Sequence, residues 1–528
     1  MPREVAAIDV NGPAIPSSGT VSAGPAALRT AEDMARDSGL TASSSVVDGA
    51  IINAPTIPLS EYKSLKAWSA EPVGSKGPGS SGPSGAYVPV TKGVNFAGSV
   101  QGENGKSFVP PDTHMAAGLA ELVETTNSSI DVFSKVSSGT PALLRTTSQN
   151  AFTGSVDTLG DSRVIYDQTA NRWIITIDDF SGLTNGAKPS YYLAVSKTPY
   201  AAVKTGVVGS GSFFVYPVFI STNPSGLFYD YPQLGMDQDA ILLTANMFTP
   251  SSFFANMVHS IAKQRIYNGL GFSFSIFFAS AASGTLAPPI LQNFDQNPND
   301  YFLAAPVGSG KTALHKYTMS SSSRRPNNFT GPISITVASY TTPPPPATQP
   351  SPCNVAADRL DTLDGRFQNA SFQVGNNVWN VHTRSVGGFA KPKFYQVNAG
   401  TNALVQSAQF FKSSTSFDFN PSISGVNSSV IVNWSATDPD HGLKLMVMFG
   451  GRVSTTALNT ISVRATPAFT SPACLTGSFD SRFGMQRWGD YSTVSLDWQF
   501  AGGNGIFWIL NEDAPSASWG SRGVRVGN

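Results

Sequence analysis

The sequence predicts an all-β fold, a β-propeller of about seven four-stranded blades preceded by a low-complexity N-terminal arm. Three observations predict it. Short, strongly apolar strand-like runs recur roughly every 50–80 residues from residue 106 onward, the size of one four-stranded blade with its loops. No long helical periodicity separates them, so neighbouring strands are joined by turns and a doubly wound sheet is excluded. Charged residues make up only 13% of the chain, and Gly (49), Pro (37) and abundant Ser, Thr and Asn take their place. That composition suits turns and strands, and radial stacking leaves few bare sheet edges for charge to protect.

The bulk numbers exclude several classes of function. With 41% hydrophobic and 11% aromatic residues, the 528-residue chain can bury a large core. Thirty-four basic residues balance thirty-four acidic ones, which argues against nucleic acid or an anionic membrane as partner, since both want a cationic surface. The densest basic pair, Arg324-Arg325, reads as a solvated loop. No run of about 18 apolar residues exists, so no transmembrane segment is expected. The longest apolar stretch, residues 272–282, is broken by Ser and reads as a buried strand. The first residues, Met1 to Val5, lack the apolar stretch of a signal peptide. An extracellular or cell-surface location is therefore an expectation from composition.

Residues 1–105 read as a Pro/Gly/Ser-rich extended arm or linker, and residues 106–528 as the propeller. The run 74–83 has linker chemistry. Two short helices are expected in the arm. One spans 26–37, with Leu28, Ala31 and Met34 on one face. The other spans 59–68, after Pro58 and with Ser60 as N-cap.

Within the propeller, the second strands of the blades fall at 122–126, 173–177, 240–244, 301–305, 378–383, 430–434 and 506–510. First strands precede three of them at 164–167, 233–237 and 493–497. The Pro-rich stretch 343–352 cannot be a central strand and reads as a rigid surface connection between blades. Residues 305–312, Ala-Pro-Val-Gly-Ser-Gly-Lys-Thr, fit a relaxed phosphate-loop pattern. A phosphate loop must open a long helix. Here Ala305 replaces the first Gly and residues 312–319 alternate as a strand does, so the segment reads as a hairpin turn and nucleotide binding is rejected.

Several motifs carry a resemblance. Val109-Pro110-Pro111-Asp112-Thr113, Gly160-Asp161-Ser162-Arg163 through Asp167 with Arg172-Trp173, Asp230-Tyr231-Pro232-Gln233-Leu234-Gly235, Arg359-Leu360-Asp361-Thr362-Leu363 and Arg487-Trp488-Gly489-Asp490-Tyr491-Ser492 occur in this order. Together they are similar to a family of bacterial secreted β-propeller-like proteins and cover most of residues 108–525. The resemblance implies the fold and implies no activity. Residues 117–120, Ala-Gly-Leu-Ala, depart from the Gly-Pro-Asn/Asp-His type of turn expected there.

The innermost strands of a propeller begin near its axis, so residues that open them converge on one channel mouth. Asp112, Asp161, Arg163, Asp230, Tyr231, Asp361, Arg366, Arg487, Asp490 and Tyr491 are the candidates for that mouth. Carboxylates and guanidinium groups gathered there suit a polar ligand, and Arg forks suit carboxylate-bearing or sulfated sugars. Two carboxylates at the right separation hydrolyse a glycosidic bond. The competing reading is architectural: a motif repeated blade after blade ties blades together through buried hydrogen-bonded pairs.

No catalytic residue is singled out. Asp237-Gln238-Asp239, Asp438-Pro439-Asp440 and Asp361 with Asp364 offer paired oxygens for calcium, but none has the spacing of a calcium loop. The five histidines, His114, His259, His315, His382 and His441, show no zinc spacing. Cys353 and Cys474 form one bridge or stay as thiols. Three functions remain: an extracellular binding protein for a polysaccharide or surface partner, a secreted glycan-cleaving enzyme on the same face, and a structural or adhesive surface protein.

Overall fold

In the computed structural model the described residues are 15–39, 56–70, 88–105, 107–183, 188–220, 228–249, 252–291, 299–320 and 329–527. The expectations for residues 1–5, 74–83 and Arg324-Arg325 lie outside them. Among the described residues no helix is long and apolar enough to cross a membrane.

The chain is an all-β propeller of seven antiparallel blades. Blade 1 comprises His114–Ala117, Glu121–Thr125, Ser129–Ser134 and Leu143–Ser148, and blade 2 Leu159–Asp167, Arg172–Asp179, Tyr191–Ser196 and Phe213–Val218. Blade 3 comprises Phe228–Met236, Ala240–Phe248, Phe253–Ala262 and Phe272–Ser280. Blade 4 follows with Leu286–Ala287, Asn299–Ala304, Lys311–Ser320 and Phe329–Tyr340. Blade 5 comprises Ser371–Val374, Asn377–Val386, Phe389–Asn398 and Ala403–Gln409, and blade 6 Phe417–Val426, Ser429–Asp438, Leu443–Arg452 and Ser462–Val463. Blade 7 takes Thr493–Leu496, Ile506–Asp513 and Gly520–Gly527, and its outermost strand is Val90–Val100 from the other end of the sequence. The expected second strands coincide with the second strand of each blade. The phosphate-loop-like segment is the turn between Asn299–Ala304 and Lys311–Ser320.

Why these runs are continuous and apolar follows from where the two faces of each strand go. In the second strand of blade 2, Ile174 packs towards blade 3 with Leu234 and Ile241. The next residue, Ile175, packs towards blade 1 with Val123 and Ile130. Successive side chains point to opposite faces, so a strand covered by a neighbour on each side is apolar at every position. The other interfaces repeat this: Leu242 with Phe302, Leu303 with Val378, Trp379 with Val432, and Ile431 with Phe507. Phe96 and Trp508 of blade 7 pack on Leu122 and Phe133 of blade 1, which closes the circle.

The closing strand carries its own lock. Glu124 of blade 1 accepts from the Ser99 backbone N–H and from the Ser521 hydroxyl, while the Ser99 hydroxyl donates to Asp131. Gly98 permits this approach, because a Cβ there would strike the Glu124 carboxylate and the Ser521 hydroxyl. Gly98→Ala is expected to cost about 1–3 kcal/mol through overpacking, read as a lower urea midpoint.

The arm is bound along the propeller. Ile15–Ala23 extends blade 3 by pairing with Phe272–Ser280, and Ala27–Arg29 extends blade 2 by pairing with Phe213–Val218. A helix, α1 (Ala31–Arg36), follows with Thr30 and Asp33 as a capping box. Met34 is buried between blades 1 and 2, whereas Leu28 is 43% exposed on the edge strand. The helix expected over 26–37 is therefore shorter, because edge pairing claims residues 27–29. A second helix, α2 (Leu59–Ala70), begins at Leu59, so Ser60 is inside it and is not its N-cap. Since Val90–Val100 belongs to blade 7, the propeller reaches into the 1–105 segment read as arm.

The Pro-rich stretch 343–352 does connect blades 4 and 5, but residues 342–347 are buried. This connection crosses the axial face. Gln349 pairs with both the N–H and the C=O of Leu475, and Leu360 and Asp361 bond along Gln486. Beneath it lies a cluster that includes Leu360, Leu475, Trp488 and Trp519. Cys353 and Cys474 are free thiols, and the Cys353 thiol is hydrogen-bonded to Cys474.

Candidate functional site at the axial mouth

Each of several blades is entered through one residue in the left-handed region. Asp112, Asp161, Tyr231, Leu363 and Asn420 have φ between 49° and 57°. At Asp161-Ser162, Tyr231-Pro232 and Asn420-Pro421 the strand register shifts, forming bulges. A bulge re-aims the side chains at the start of a strand, and here it turns them toward the axis. The repeated motif thus has a backbone cause.

All ten mouth residues inferred from sequence meet there, and all are buried. Asp112 accepts from the Asp490 backbone N–H at 2.6 Å and from Asn127 at 2.8 Å, while Asn127 accepts from the Asp161 N–H at 2.7 Å. Arg163 donates to Pro232 O, Asn369 Oδ1 and Gln368 O, reaching blade 3 and the entry to blade 5. Its guanidinium lies 3.2 Å from the Tyr491 ring centre. Arg366 grips Asp364 through two 2.8 Å bonds and lies 4.2 Å from the Tyr231 ring centre. Arg487 pairs with Asp490 at 2.9 Å and approaches Asp361 at 3.7 Å. Asp230 faces Asp161 and Asp178 as a like charge. Tyr231, Leu363 and Tyr491 pack together and fill the axis. Below them the axial cavity measures only about 70 Å³, well short of the roughly 300–1,000 Å³ of small-ligand sites.

Carboxylates outnumber cations in this cluster, so several are held neutral. Burial, reinforced by Asp161, pushes Asp112 up to about 7. Burial likewise raises Asp490 to about 7, and burial with Asp230 and Asp490 nearby raises Asp161 to about 8. Burial drives Asp178 and Glu512 well above the usual carboxylate range. Two stay ionised. For Asp364 burial works upward, but Arg366 outweighs it and holds the group at about 2. For Asp361 burial is likewise outweighed, by Lys66 and Arg487, and the group lies below its ordinary value.

The mouth is roofed by α2. Tyr62 donates to Asp361 at 2.6 Å, Lys66 forms an ion pair with Asp361 at 3.1 Å and donates to Thr362 at 2.6 Å. Just before the helix, Thr56 donates its N–H and hydroxyl to Asp364 at 3.1 and 2.7 Å. Lys66→Ala removes one partner of a buried pair, which costs about 3 kcal/mol. It is expected to loosen α2, and amide exchange across residues 59–67 followed by mass spectrometry checks this.

Sequence reasoning missed Asp178, Glu512, Asn420 and the α2 pair Tyr62/Lys66, and it read Asp364 as a calcium oxygen rather than as the partner of Arg366. Asn420-Pro421 carries a signal, since it copies Tyr231-Pro232. Asp178 ends an otherwise apolar second strand, another visible sign. Several of the candidate calcium oxygens accept from protein donors. Asp237 accepts from the N–H groups of Asp239 and Ala240, and Asp438 accepts from Ser413 and Thr415. Among the described residues no group of three or more potential ligands is gathered for a metal ion. His382 is buried and bonded to Gly365 O and Tyr395, and His114 is half-buried.

Fold and mouth together define a seven-bladed propeller with a capped axial face. No protein-family model matches the chain, and no curated protein matches it. Among solved structures it is similar to the GH93 α-L-arabinofuranosidase of Fusarium graminearum in complex with arabinobiose, with TM-score 0.35 and 11% identity over 69% of this chain and 91% of that one. It is also similar to the endo-arabinase from Bacteroides thetaiotaomicron, with TM-score 0.31 and 10% identity over 70% and 93%. Phage phi92 endosialidase matches with TM-score 0.35 and 7% identity over 83% of this chain and 69% of that chain. Likeness this distant says nothing of activity.

Proposed function

We propose that the protein is an extracellular, bacterial polysaccharide-binding propeller whose ligand face is the capped axial mouth. The observation that carries this reading is the seating of Tyr62 and Lys66 on Asp361. It makes the ten-residue ring an internal scaffold and gives the solvent side of the mouth to α2 and two interblade connections, 341–370 between blades 4 and 5 and 464–492 between blades 6 and 7. Retaining or inverting hydrolysis needs a carboxylate pair that sugar and water can reach. The ring carboxylates are instead all buried, with Asp112 and Asp361 bonded to backbone N–H groups and Asp490 paired with Arg487. A titration of the purified protein against neutral and acidic polysaccharides, with product analysis, tests the reading. Binding without new reducing ends is the expected result; turnover by the intact protein contradicts it.

One observation favours the enzyme as a second reading. Asp112, Asp161 and Asp490 are held protonated near neutrality, as a general acid must be. That reading requires α2 to leave the mouth, so it predicts that Lys66→Ala gains hydrolytic activity. The adhesive reading is tested by deleting residues 1–89, which spares the closing strand. It fails if surface attachment and self-association are unchanged.

A further inference from the structure

A groove of about 330 Å³ runs over the axial face between α2 and the two interblade connections. It is in the size range of small-ligand sites, about 300–1,000 Å³. The helix wall presents Tyr62 and Lys63, and the opposite wall presents Arg359 and Phe483. Tyr62 and Phe483 meet edge to face with ring centres 5.7 Å apart, and Phe483 remains half-buried. Among the described residues no acidic residue lines the groove. The nearby Asp480 carboxylate is spent on Arg482 at 2.6 Å, and the charge of Lys66 is spent on Asp361. Lys63 and Arg359 are both exposed and have no ion-pair partner among the described residues.

We infer that this groove binds an acidic sugar unit of a polysaccharide, with Lys63 and Arg359 meeting its carboxylate or sulfate and Phe483 taking the apolar face of the ring. The inference rests on the reading of the axial face as a glycan-binding surface and adds the class of sugar and the residues that select it. On a chain of zero net charge, two unspent cations around an aromatic floor, with no acid between them among the described residues, are a local bias toward an anion. Arg359 offers a planar fork for two oxygens, while Lys63 supplies a point charge on the opposite lip.

The test is calorimetric titration of the full chain with hexagalacturonate, a neutral galactose hexamer and poly-L-glutamate. Hexagalacturonate is expected to bind at least tenfold more tightly than either of the others. The exposed double variant K63A/R359A is expected to lose at least tenfold in affinity for it with an unchanged melting temperature, and F483A to weaken it further. Equal binding of the neutral and acidic hexamers with K63A/R359A unaffected overturns the inference and leaves the glycan-binding reading standing. Equal binding of poly-L-glutamate overturns the sugar assignment. Absence of binding by any saccharide overturns the reading beneath it as well.

Discussion

Replacing Arg366 by alanine is expected to destabilise the propeller by about 3–5 kcal/mol, the cost of leaving a buried carboxylate without its cation. Arg366 is wholly buried, grips Asp364 with two 2.8 Å bonds and covers the Tyr231 ring. Without it, Asp364 keeps only Thr56 as a side-chain donor. The group then takes up a proton or the connection between blades 4 and 5 moves. Arg366→Lys restores the charge without the planar fork and is expected to recover only part of the loss. The double variant R366A/D364A is expected to be more stable than R366A alone. Urea unfolding of the native chain, R366A, D364A and R366A/D364A forms a double-mutant cycle. A loss below about 1 kcal/mol in R366A contradicts the role assigned to this pair.

The second large effect is a pH dependence at the closing strand. Burial, with Asp131 adding its charge, raises Glu124 to about 8 against an ordinary value of 4.5. A carboxyl whose folded value is raised is neutral in the native protein while the unfolded chain has already ionised. Its contribution is complete below about pH 4.5 and is lost as the pH rises to about 8. Each unit of separation amounts to about 1.4 kcal/mol, so several kcal/mol depend on this one group. Buried histidines act in the opposite sense: burial lowers His259 and His382 to about 3, so they withdraw stability as the pH falls below 6.5. The clean readout is therefore a difference. Glu124→Gln keeps the shape and cannot ionise, and its advantage over the native chain in melting temperature is expected to grow from pH 4.5 to pH 8. A difference that stays flat across that range contradicts the assignment.

Much of this architecture was legible because propeller strands are covered on both faces. Residues 173–177 and 506–510 announce themselves as continuous apolar runs for that reason. Val90–Val100 escaped because only alternate positions such as Val94 and Phe96 are buried. Its partner strand also lies at the far end of the sequence. Residues 27–29 were read as helix because local pattern favours it, and sheet-edge pairing overrode that preference. The mouth residues could be grouped from their repeated place before each inner strand. What covers them could not, since the burial of Asp361 is decided by Tyr62 and Lys66, some 300 positions away. The Pro-rich connection was placed on the surface for its composition, and it is buried because it crosses the mouth.

The closing of blade 7 carries a consequence for biogenesis. Val90–Val100 leaves the ribosome more than 400 residues before Val524 and Val526, which it pairs with. During synthesis this strand has no partner while more than 400 residues emerge, and its side chains wait without a sheet to join. Contacts so distant in sequence form slowly because a long loop must close first. Until that partner is made the nascent chain is an open arc with two unsatisfied edges, the state in which such chains aggregate. Any factor that shields the strand Val90–Val100 until its partner strand emerges should raise the yield of native protein without changing its final stability.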